Sequence, residues 1–73
     1  MIEKTRIKKD IVMFKENLNK IDKKLLSLSH NKTIELAKQY YKDAEYYLKK
    51  EDFFTAFGCI NYAHGLLDSI IKF

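Results

Sequence analysis

Isoleucine, phenylalanine and leucine recur at alternating steps of four and three residues through Ile7, Ile11, Phe14, Leu18, Ile21, Leu25 and Leu28. Residues spaced in this way share one side of a helix, and a strand would need a period of two. The spacing predicts a first helix over about residues 5–28, roughly 36 Å long at 1.5 Å per residue. Strand-like alternation of β-branched residues is hard to find, and the chain has no proline. Both features point to an all-α chain.

The first break is Ser27-Leu28-Ser29-His30-Asn31, where small polar side chains compete with the helical backbone for hydrogen bonds. Ser29 or Asn31 is expected to cap a second helix over about residues 32–50, and His30 to be a solvated turn histidine. The seam of that helix is Ile34, Ala37, Tyr41, Ala44 and Leu48, flanked by Tyr40 and Tyr47, with Tyr46 outside it. Asp52 is expected to cap a third helix over about residues 53–71, with Phe53, Ala56, Ile60, Ala63, Leu67 and Ile70 on its inner side. So short a connection makes the second and third helices antiparallel. Ala37 and Ala44 on one, and Ala56 and Ala63 on the other, repeat at seven residues and allow close approach. The first helix, carrying Ile, Leu and Phe, then covers their groove. The expected fold is a single domain, residues 1–73, forming an antiparallel up-down-up three-helix bundle.

Seventy-three residues bury only a small core, and Cys59, the only cysteine, has no partner in the chain for a disulfide. A lone thiol suits a reducing compartment. The basic N-terminal stretch lacks the apolar core of a signal peptide, and no window is apolar enough to span a bilayer. A cytoplasmic protein without a membrane segment is expected. Residues 1–30 carry eight Lys/Arg against four Asp/Glu, and residues 31–73 carry six of each, so the net charge of +4 lies in the first helix. Opposite-sign pairs four apart look sparse there. Lys8, Lys15 and Lys23 mark its basic face, whose plain reading is solvation and whose functional reading is phosphate contact. Val12, Met13 and Leu26 fall off the seam and are expected at the surface.

The run from Tyr40 to Ile70, and within it YYKDA (Tyr40–Ala44) and AFGCINYAHGLLD (Ala56–Asp68), resembles the archaeal short-protein family known as domain of unknown function 357. The likeness covers 31 of the 73 residues, and the basic first helix adds little to it. It implies an antiparallel three-helix bundle in an archaeal cytoplasm. No reaction, cofactor or catalytic residue comes with it.

Asn61, His64 and Asp68 form one polar group, within about 60° of one another around the third helix. Asp68 is placed to hold a ring nitrogen of His64, the orienting half of a catalytic dyad. The nucleophile is lacking, because Cys59 points about 140° away from His64. A rim histidine satisfied by Asp68 is the simpler expectation. Two histidines and one cysteine fall short of a zinc set, and no glycine-rich phosphate loop follows a strand. No catalytic residue, metal or cofactor is expected, and an enzyme is disfavoured.

Gly58 and Gly65 lie about 20° apart on the side of the third helix opposite its seam. Thr55, Tyr62 and Ser69 share that side. Each glycine costs a helix interior about 1 kcal/mol relative to alanine, a cost easiest to understand where another backbone lies close. The plain alternative is that a well-packed bundle tolerates them. Two functions remain. One is a non-catalytic protein-interaction module, either a homodimer or a docking subunit, using Thr55, Gly58, Tyr62, Gly65 and Ser69. The other is a weak, sequence-independent nucleic-acid-associated protein using the basic first helix.

Overall fold

A computed structural model describes residues 3–21 and 27–71. They form three helices, α1 (Lys4–Asn19), α2 (Leu28–Lys49) and α3 (Phe53–Ile71), with no strand among the described residues. Packed in alternating directions, they make the expected all-α bundle, 37 × 17 × 15 Å.

The first helix is shorter than its seam. It ends at Asn19 instead of residue 28, tightening as the Lys20 and Ile21 N–H groups donate to the Asn17 and Leu18 carbonyls, both at 3.2 Å. Bonds of this i→i+3 type commonly close a helix. Ile7, Ile11 and Phe14 are buried, Leu18 and Ile21 pack against the core from its edge, and Leu25 lies outside the described residues. Leu28 belongs to α2 and is 73% exposed. An apolar repeat identifies the side that can face a neighbour. It does not determine where the chain turns back.

The second helix starts early for a local reason. Ser27, rather than Ser29 or Asn31, is its N-cap: the hydroxyl accepts the His30 N–H at 3.2 Å and the carbonyl accepts that of Asn31 at 3.1 Å. The Ser29 hydroxyl meets that of Ser27 at 3.0 Å, and the Ser29 carbonyl accepts from Thr33 Oγ1. His30 is therefore in the first turn of α2 and half-buried, not in a solvated turn. Its Nδ1 finds no hydrogen-bond partner among the described residues.

Three residues, Lys50 to Asp52, turn α2 into α3. Glu51 adopts a left-handed conformation at φ 62°, and its N–H donates to the Leu48 carbonyl at 3.0 Å. The Asp52 N–H donates to the Tyr47 carbonyl, also at 3.0 Å. This crossed pair satisfies carbonyls that a helix end leaves orphaned, usually with glycine where Glu51 stands. Asp52 then caps α3 through Oδ1, which accepts the Thr55 N–H at 3.2 Å.

Ala37, Ala44, Ala56 and Ala63 are all fully buried, together with Ile60 and Leu67. The alanine sides of α2 and α3 thus face inward, and these two helices share by far the most extensive contact. From α1, Phe14 and Ile7 enter as the largest fully buried side chains. The Phe14 ring stacks on Tyr41 at 5.1 Å and meets the His64 ring edge-on at 5.8 Å. Burial on this scale contributes about 1.5–3 kcal/mol for each large apolar side chain.

Candidate functional site: the outer face of α3

With the inner side of α3 committed to the core, its opposite side is left uncovered by the described residues. Gly58 and Gly65 are exposed, and a Cβ added at either would meet nothing within 4 Å among the described residues. No element of the bundle therefore requires glycine at these positions. Both have ordinary helical φ, so the backbone does not require it either. Ser69 is exposed and turns its hydroxyl back to the Leu66 carbonyl at 2.7 Å. Thr55 is half-buried, its N–H engaged by the Asp52 cap.

Two aromatic side chains stand on this face. Tyr62 is 51% exposed and packs edge-on against Tyr40 of α2, with ring centroids 4.6 Å apart. Phe54 is 80% exposed, the most exposed large apolar side chain of the described residues. The apolar seam of α3 takes in Phe53 and passes over Phe54. A signal was nevertheless present, because Phe54 lies one turn before Gly58 and within about 40° of both glycines. Between Phe53 and Leu67 the helix has no Lys, Arg, Asp or Glu, although 33% of the chain is charged. Solvent-facing helix sides are ordinarily charged, and depletion of charge marks the centre of protein interfaces.

The polar group is arranged differently from the expectation. The His64 Nε2–H donates to the main-chain carbonyl of Asp10 on α1, at 2.7 Å. No hydrogen bond joins His64 to Asp68 among the described residues, and Asn61 is exposed. The reason is tertiary: α1 lies along the His64 side of α3 and presents the Asp10 carbonyl to the ring. His64 fastens α1 to α3. Cys59 is half-buried, and burial pushes its thiol up, with the Asp43 and Asp52 carboxylates adding to the effect. A thiol so placed stays protonated at neutral pH and is a poor nucleophile.

Lys8 and Lys15 are exposed on α1, whereas Lys23 lies outside the described residues. Lys8 borders a groove of about 480 Å³ whose floor is Ile11, Val12 and Leu48. Glu45 and Glu51 border the same groove and oppose a uniform positive field. Lys15 instead joins Lys38 and Lys42 of α2 around the Phe14–Tyr41 stack. One opposite-sign pair four apart does form on α1, Arg6 Nε to Asp10 Oδ2 at 3.7 Å. Among the described residues no three His, Cys, Asp or Glu side chains gather as a metal set, and no helix is long and apolar enough to cross a membrane.

Comparison with known families finds a match over residues 9–73 to the family described as Protein of unknown function (DUF357). The matched stretch takes in most of α1 and so extends well before Tyr40, where the sequence resemblance begins. A search of curated proteins finds no match.

Proposed function

We propose, for a chain that belongs to the family Protein of unknown function (DUF357), a non-catalytic role as a protein-interaction module that presents the outer face of α3. The observation that carries this reading is a side of α3 without charge from Phe53 to Leu67 that exposes Phe54 and Tyr62 beside two open glycines. Burying two aromatic rings is the type of contact on which interfaces draw most of their energy. The side chains best suited to chemistry support the same reading: the His64 Nε2–H is spent on a main-chain carbonyl, and the Cys59 thiol is held protonated. A reducing, cytoplasmic setting agrees with a free, half-buried thiol.

The test is a photo-crosslinking side chain placed at Thr55 or Ser69, with Lys9 on α1 as the control, irradiated in native extract. The expected result is a discrete protein adduct from the α3 positions alone. Equal adducts from all three positions, or none from α3, would refute the reading.

A second reading, weak nucleic-acid association, draws support from Lys15, Lys38 and Lys42, which line one aromatic hollow, with Lys38 also paired to Glu35 at 3.5 Å. Binding of this kind is electrostatic and falls steeply with salt. Charge reversal at Lys15 and Lys42 should remove it. Salt-resistant binding that survives both reversals would exclude this surface.

A further inference from the structure

Resting on the reading of outer α3 as an interaction face, we propose that its occupant is a second copy of this chain, the two α3 helices lying antiparallel about a two-fold axis that meets the outer face at the level of residue 60 along the helix.

Three features share that centre. Phe54 and Gly65 are disposed about a midpoint at the level of residue 60, and so are Gly58 and Tyr62. One axis therefore seats Phe54 over the partner's Gly65 and Tyr62 over the partner's Gly58, and returns both contacts by symmetry. Each copy supplies two aromatic knobs and two glycine holes in self-complementary order, which is what an isologous contact demands. The uncharged stretch from Phe53 to Leu67, bounded by Asp52 and Asp68, has Ile60 at its middle. An antiparallel overlap about that axis runs the length of the stretch and ends where charge resumes.

The lack of charge also discriminates between occupants. A different protein can answer a charged patch with the opposite sign, and such pairs steer association. A residue on the two-fold axis itself meets its own copy, so a charge at that point is repulsive, and an uncharged centre fits a second copy. The glycines acquire a purpose in this arrangement. Among the described residues nothing fills the space over them, whereas an aromatic ring of the partner does. Tyr62 is already held edge-on by Tyr40, so little ring freedom remains to be lost on association.

Sedimentation equilibrium of the full chain over a concentration series tests the proposal, read against the 8.7 kDa monomer. The expected result is a monomer–dimer equilibrium, with Gly58→Leu and Gly65→Leu each raising the dissociation constant by about tenfold or more. Both variants should keep the helical circular dichroism of the parent, since both positions are exposed and a Cβ added at either meets nothing within 4 Å among the described residues. Register is read separately in a Cys59→Ala background. An equimolar mixture of Gly58→Cys and Tyr62→Cys chains should form a disulfide-linked heterodimer on oxidation, faster than either variant links to itself. A parent that is monomeric at millimolar concentration overturns the proposal. So does a dimer unaffected by both leucines, or one whose cysteines link without preference for the mixed pair. If the parent is monomeric while α3 crosslinks to one other protein in extract, the proposal fails and the interaction reading stands. A monomer with no α3 adduct removes both.

Discussion

The α2–α3 pair and α1 are held in place by different physics. Between α2 and α3 the contact surfaces are built on four fully buried alanines, and the connection is three residues closed by crossed main-chain bonds. Small side chains give up little conformational entropy, and close packing recovers dispersion across the whole contact. The first helix contacts its neighbours far less extensively and inserts a few large side chains, Ile7, Ile11 and Phe14, into the groove that α2 and α3 leave. One polar fastening, His64 to the Asp10 carbonyl, joins it to α3. A bundle built in this way should be sensitive to added bulk on one side and to lost bulk on the other.

Loss of bulk gives the largest expected effect. Phe14→Ala empties a fully buried position in contact with Tyr41 and His64. The cost for such a truncation is about 3–5 kcal/mol, comparable to the roughly 3–5 kcal/mol that a core of this size supplies. Urea titration followed by circular dichroism should show a protein largely unfolded in buffer, or one in which α1 has detached and helicity has fallen by about its share. A midpoint close to that of the parent would mean that α1 is held by something other than Phe14.

Added bulk comes next. Ala63→Leu forces extra methyl and methylene groups between α3 and its neighbours, at a cost of about 1–3 kcal/mol. The same titration should show a lower midpoint with an unchanged slope. Parental stability would contradict close alanine packing. The third effect is smaller and isolates the polar fastening: His64→Ala should cost about 0.5–1.5 kcal/mol from the lost hydrogen bond, with a further increment for the ring contact to Phe14. Its signature is faster amide exchange in α1 than in α2 and α3. Uniform acceleration across all three helices would show that α1 is no separate unit. The smallest effect is a gain. Glu51→Gly relieves a left-handed residue with a side chain, worth about 1 kcal/mol. A loss of stability would mean that the Glu51 side chain contributes more than its backbone costs.

Most of the fold is legible because it depends on local order along the chain. Steps of three and four identify the inner side of each helix whatever its neighbour, and Asp52 caps α3 through an N–H only three residues on. The end of α1 was not legible. The apolar repeat continues to Leu28, but Ser27 forms the cap of α2 and the helix closes at Lys20. Two local signals conflict there, and the Ser27 cap takes Leu28 into α2. His64 misled in a similar way. Asp68 is the obvious partner at four residues' distance, whereas the carbonyl it meets is 54 residues away in sequence. No pattern within α3 announces an atom supplied by α1.

The amino-acid order alone determined that three helices form, which residues face the interior, and that Gly58, Gly65 and Tyr62 share the opposite side of α3. Periodicity and capping are properties of neighbouring residues, so they survive without any knowledge of the fold. Only the tertiary structure decided that α1 stops at Asn19, that His64 fastens α1 to α3, and that Phe54 stands 80% exposed beside two glycines with open space over them. Those outcomes depend on where a second helix lies, and that position is set by the simultaneous packing of all three.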